Sequence, residues 1–370
     1  MTTPDTPVVP AHLRRIVCCL TIGLLALGGP KHVNGQGCVP IHGSGIPTAD
    51  AVDAASDAEY KWDLSFDYRN FNSIHDFIGT TENARIGTGV FNKSNFTDSG
   101  LTYNLDPRWS VSLTVPFSVE DRSQETNGLR YHTDTAGIGD IQLEGHFLVF
   151  DPKNHPKGNI SIGLGLVMPT GSDDTMGTFL TYNKTTNTYT AKIEPVDQSI
   201  QLGTGGWGVI MDLYAYHEIV VPAVTGFVSA SYTAYPDAGT NGVPTYRSNP
   251  YEALTGIPDS YLYRIGAEWA VLPKYGISLS LAERMEGVPV YNLIGGTEGF
   301  RRPGYTIACE SGIIWTHQTW TVRFYMPASQ YHNRTQSLAD KEDSILTGKY
   351  QHGDAFFANY EWILSLDKRF

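Results

Sequence analysis

Between Phe356 and Phe370 every second residue is apolar with one exception: Phe370, Lys368, Leu366, Leu364, Trp362, Tyr360, Ala358 and Phe356 form one series. Arg369, Asp367, Ser365, Ile363, Glu361, Asn359 and Phe357 form the other, which is mostly polar. Side chains of a strand point alternately to opposite faces, so this segment reads as a strand with one greasy face and one wet face. Aromatics mark both ends of the greasy face, spaced about as far apart as the two interfaces of a bilayer. A chain built from such strands has few ways to fold, because each strand must bury one face and hydrate the other.

The same period-two pattern returns along the chain. Tyr60, Trp62, Leu64, Phe66 and Tyr68 alternate with Lys61, Asp63, Ser65, Asp67 and Arg69. Trp109–Phe117, Ile141–Val149, Tyr261–Val271 and Trp320–Met326 behave alike, and each fits the strand template better than the helical one. Alternation by itself suits a soluble sandwich equally well, so loop length has to decide. Short connections fall at 106–108, 151–158, 218–222, 273–274 and 317–318. Long polar segments fall at 71–95, 121–136, 170–206, 236–259, 286–303 and 329–354. Short turns on one rim and long loops on the other are what an up-and-down membrane barrel requires. The expectation is therefore an all-β, transmembrane, up-and-down antiparallel β-barrel of about twelve strands over residues 60–370, with both chain ends on the periplasmic side.

Composition narrows the class further. Hydrophobic residues make up 41% of the 370-residue chain and charged residues 17%. That is too polar for a helical membrane protein and too aromatic for a disordered chain. A net charge of -12 argues against nucleic acid as a partner. Arg14 and Arg15 precede a short apolar run over residues 16–28, the layout of a secretory signal. Residues 1–35 are thus expected to be a signal peptide and 36–59 a periplasmic lead-in. Cys18 and Cys19 would leave with the signal, and no disulfide framework or metal spacing remains.

Barrel closure assigns the second face of each strand to the interior. The interior candidates are Lys61, Asp63, Asp67, Arg69, Asp140, Glu144, His146, Asp212, Arg264, Glu268, Arg284, Glu310, Arg323 and Glu361. Isolated charges are costly to bury, so these must pair or meet water, and a ladder of ion pairs round a narrow wet passage is expected. They either fill and stabilise the lumen or set its selectivity, with the acid excess leaning towards cations. Motifs of soluble enzymes are weak here. Gly203-Thr204-Gly205-Gly206-Trp207-Gly208 fits a dinucleotide fingerprint in spelling, yet it opens an alternating strand and not a helix. An enzymatic reading would need Ser112 or Ser118 beside His146. No catalytic, metal or cofactor site is assigned.

Three motifs carry a resemblance. They are Gly137-Ile138-Gly139-Asp140-Ile141-Gln142-Leu143, then Gly163-Leu164-Gly165-Leu166-Val167-Met168-Pro169-Thr170-Gly171, then Gln201-Leu202-Gly203-Thr204-Gly205-Gly206-Trp207. In this order they resemble the meta-pathway phenol-degradation family of outer-membrane transport proteins, over residues 60–370. The positions carried over are Gly139, Asp140, Pro169, Gly171, Gly203 and Gly205. The final strand, stopping on Phe370, resembles the signal read by the outer-membrane barrel-assembly machinery. The resemblance implies an outer-membrane channel in contact with lipid, for a small solute, aromatic or hydrophobic compounds included, without a cofactor. The alternatives are an outer-membrane hydrolase on a barrel scaffold, and a structural barrel whose loops bind a partner. The segment between Gly171 and Gln201 is longer than the family pattern, which leaves the ligand open.

Overall fold

The computed structural model describes residues 60–370 apart from 84–88, 220–222, 238 and 248; the expected signal peptide and lead-in lie outside the described residues. Twelve antiparallel strands close into a barrel. They are β1 (Trp62–Ser73), β2 (Phe91–Asn104), β3 (Trp109–Thr126), β4 (Leu129–Ile138 continued by Ile141–Leu148), β5 (Gly158–Met168) and β6 (Gly208–Glu218). The circuit continues with β7 (Val224–Ala234), β8 (Ser260–Leu272), β9 (Ile277–Val288), β10 (Gly304–His317), β11 (Trp320–Arg334) and β12 (Glu361–Arg369). Each pairs with its neighbours in sequence, and β12 returns to β1 with Asp63 opposite Arg369 and Phe71 opposite Glu361. The backbone N–H groups of Lys61 and Trp62 both donate to the Phe370 carbonyl across that seam.

The side chains are distributed inside out relative to a soluble protein. All seven tryptophans are 40–54% exposed, whereas a soluble fold buries most of the surface of such rings. Among the largest fully buried side chains are Arg284, Glu120, Glu310 and Glu361. An apolar exterior flanked by aromatic girdles, round a polar interior, is the anatomy of an outer-membrane barrel. Trp62, Trp109, Trp269, Trp315 and Trp320 ring the short-turn rim, which this architecture places in the periplasm, and Tyr261, Tyr305 and Trp362 ring the other.

The long-loop rim departs from expectation in three places. Residues 121–136, expected to be a loop, continue β3 and β4 as a tall hairpin turning on Asn127-Gly128. Both turn residues have positive φ (49° and 82°), as a type I′ turn demands. Loop 170–207 carries its own hairpin, Met176–Asn183 with Thr188–Pro195, before entering a short 3-10 turn at Gln198–Ile200. The last loop holds one helix, α1 (Leu338–Thr347), started by a capping box in which Ser337 and Asp340 satisfy each other's backbone amides.

One wall strand is kinked. Between the pairs Thr114–Gln142 and Phe117–Ile138, β4 has three residues where β3 has two. Pro116, which has no N–H to give, lies opposite Gly139 and Asp140 at this bulge. Below the kink β4 pairs with β5; above it, β4 pairs with β3 alone.

Candidate functional site

The kink in β4 is where the three sequence motifs meet. Asp140 turns its carboxylate onto both ends of loop 170–207: Oδ1 accepts from the Gly171 N–H (3.0 Å), and Oδ2 accepts from the N–H and hydroxyl of Thr204 (both 2.8 Å). Thr170 closes the knot, its hydroxyl donating to the Gly139 carbonyl and accepting from the Ile141 N–H, each at 2.9 Å. Pro169 follows the last residue of β5 directly, where the ladder ends. The glycines are there for space. A Cβ on Gly171 would stand 2.8 Å from the Gly203 Cα, and one on Gly203 would stand 2.7 Å from Asp140 Oδ1. Gly203→Ala is therefore expected to loosen the knot by about 1–3 kcal/mol, the usual cost of overpacking. Chemical denaturation of the refolded protein measures it; an unchanged midpoint would show that the loop ends relax freely.

From that anchor the loop folds inward and presents its 3-10 turn to the interior. Asp197 caps the turn by accepting from the Ser199 N–H, and is itself 1% exposed. Arg302 grips its two oxygens with both terminal nitrogens (2.8 and 2.7 Å), the Tyr246 hydroxyl donates at 2.8 Å, and Arg122 of β3 stands 3.5 Å away. Burial by itself would raise the Asp197 carboxyl; Arg122 and Arg302 outweigh it and hold the group well below the usual carboxylate range. Further bonds run from Gln198 to the Gly256 carbonyl, from Asn92 to Ser199, and from Thr135 to the Ile200 carbonyl. Groups from β2, β3, β4 and two other loops thus hold one turn, whose Ile200 is wholly buried.

Beneath the turn, inward side chains meet one another. Arg264 donates through Nε to Glu310 Oε1 at 3.0 Å, and its terminal nitrogen contacts the same oxygen. Arg284 donates to Glu310 Oε2 (3.2 Å) and to Glu286 (2.9 Å). The Arg264 guanidinium also lies against the rings of Phe227 and Tyr325, 5.2 and 5.4 Å from their centroids. Arg323 pairs with Asp367, Arg69 stacks on Phe71 and Phe96, and Ser94 donates to Glu120. Nearly all these groups are under 10% exposed, which residues lining a wide aqueous pore would not be. Several of the expected inward charges thus pair with one another across neighbouring strands.

The remaining candidates fall into separate places. Asp63, Glu144, Asp212, Arg264, Arg284, Glu310, Arg323 and Glu361 are buried, and Asp67 and Glu268 are half-buried. Lys61 precedes β1 and is exposed at the short-turn rim, and Asp140 belongs to the knot. His146 Nε2 is 3.4 Å from the Ser112 hydroxyl and 3.8 Å from Glu144. A serine triad needs an acid bonded to the other ring nitrogen; Asp212 lies on that side, yet among the described residues it makes no hydrogen bond to the ring. Sequence reasoning missed Asp197, Arg302, Arg122 and Tyr246, whose roles depend on contacts between distant loops and strands.

No family model and no curated protein matches the chain. Solved structures do. An outer membrane channel from Pseudomonas putida F1 superposes with a TM-score of 0.54 at 14% identity, covering 84% of this chain and 96% of that one. The β-domain of the Bordetella autotransporter BrkA follows at 0.45 and 11% identity, covering 83% and 99%. The toluene transporter TodX of P. putida scores 0.43 at 9% identity, covering 92% and 99%. The first of these likenesses establishes the outer-membrane barrel fold.

Proposed function

We propose that this barrel is an outer-membrane channel for a small aromatic or hydrophobic solute, and that loop 170–207 governs entry. The carrying observation is that one turn of this loop is folded inward and held through side-chain bonds centred on Asp197, which places it to act as a stopper. A stopper of that kind can leave without breaking the wall. The outer membrane channel from Pseudomonas putida F1 shares this fold. Convergence of all three motifs on the Asp140 knot supports membership of the phenol-degradation transport family, since the motifs then describe one structural device.

Planar-bilayer recording with the refolded protein tests this reading. Brief, small openings are expected, with a solute panel entering liposomes that carry the protein. Electrical silence together with exclusion of every solute, in the parent and in a variant lacking the Asp197 carboxylate, would overturn it.

A further inference from the structure

On the outer face of the barrel, Glu283 of β9 stands where hydrocarbon is expected. Its parity on the strand sets it with Leu281 and Met285, while Ala282, Arg284 and Glu286 turn inward and are buried. Its cross-strand neighbour on β8 is Ile265, itself 62% exposed. Ile265 lies four residues from Trp269 at one girdle and four from Tyr261 at the other. At about 3.3 Å per residue along the strand, Glu283 is therefore close to the middle of the apolar band. The carboxyl is exposed and makes no hydrogen bond or ion pair with any described residue.

A carboxyl facing lipid at mid-depth is unfavourable unless something answers it, and lipid headgroups are too far away to do so. The residues round it are small or thinly polar. Cys309 of β10 is its direct cross-strand partner, Ala328 of β11 follows Cys309 in the same row, and Ser311 lies one row below beside Leu281. Glu283 and Ser311 are exposed, and Cys309 and Ala328 half-buried, so this part of the wall is shallow between the larger Ile265 and Ile313. Small residues let two membrane-embedded walls approach, and a polar side chain then finds its partner across the gap.

We propose that this face is the contact between two copies of the chain, with Glu283 beside the two-fold axis. An isologous contact brings the same residue from each copy together. There the carboxyl of each copy can hydrogen-bond to that of the other, so that both find a partner without any basic group. A different protein would have to bring a matching group of its own, whereas a second copy brings it by symmetry. The inference rests on the barrel fold and is independent of what the channel carries.

Cys309 supplies the assay, because it lies one strand, about 5 Å, from Glu283. Cys38 is the other cysteine beyond the expected signal peptide; in outer membranes containing a Cys38→Ser form, a bis-maleimide linker spanning roughly 10 Å should join Cys309 to Cys309 and double the apparent mass. Glu283→Leu should lower the yield about three- to tenfold, as loss of one intramembrane polar contact implies. Glu283→Gln, whose amide can still pair with its copy, should retain it. Heat-modifiable migration checks that each variant is folded. Native mass spectrometry in mild detergent should show the same order, with dimer in the parent and monomer in Glu283→Leu. A parent that is never linked, equal linkage in Glu283→Leu, or linkage of Cys309 to another protein would each overturn the proposal.

Discussion

Glu310→Ala is expected to lower the unfolding free energy of the barrel by about 3–5 kcal/mol, the usual result of leaving a buried charge without its partner. Glu310 receives both Arg264 and Arg284, so its removal takes a partner from two guanidiniums at once. Both are shielded from solvent, at 4% and 1% exposed. Arg284 would keep Glu286, so Arg264 should carry most of the damage. Replacing Arg264 and Glu310 together by leucine should cost less than Glu310→Ala alone, because a buried pair exchanged for apolar groups is often close to neutral. Urea unfolding of the refolded protein in lipid vesicles measures both. A double variant weaker than the single one would mean that the pair adds net stability.

Asp197→Ala is the second large effect, and it acts on access more than on the wall. Removing the carboxylate leaves Arg302 and Arg122 buried beside each other and frees the Tyr246 hydroxyl, again a loss of about 3–5 kcal/mol in the loop's docking. The wall strands keep their ladders, so the barrel should stay closed while loop 170–207 swings out. The readouts are higher conductance and faster proteolysis within 176–195. The pH dependence has a definite sign. A carboxyl depressed in the folded state contributes stability that is complete above its unfolded value of about 4. That contribution is lost only as pH falls through the lower, folded value. Asp197 should therefore hold the loop unchanged from neutrality down to about pH 4 and release it in stronger acid. Release between pH 7 and 5 would place the latch on another group.

Period two was enough to read the wall. The segment around Ile265 announces its outward and inward faces by composition, and register with neighbouring strands follows from that. The tall hairpin was also legible, since Asn127-Gly128 is the strongest short hairpin signal a sequence offers; a loop over 121–136 leaves Arg122 out of the interior. Helix α1 had its signal too, in Ser337 followed at the third position by Asp340. The stopper had none. Asp197 sits in a polar segment like many others, and its importance is set by Arg302 and Arg122, which reach it from another loop and from β3. Contacts of that range leave no local period or composition to read.

The seam between β1 and β12 has a consequence for how the molecule comes into being. Every other seam joins strands that follow one another along the chain, and so can zip as short hairpins or across one loop. The pairing of Asp63 with Arg369 must instead wait for nearly the whole barrel sequence to be in place, and it carries the largest entropic charge for loop closure. Until then β1 and β12 are two open edges with unpaired amides and carbonyls, the state most inclined to join a wrong partner. The slow step of assembly is therefore expected to be the meeting of these two strands, and the barrel should have no half-closed form that is both soluble and long-lived.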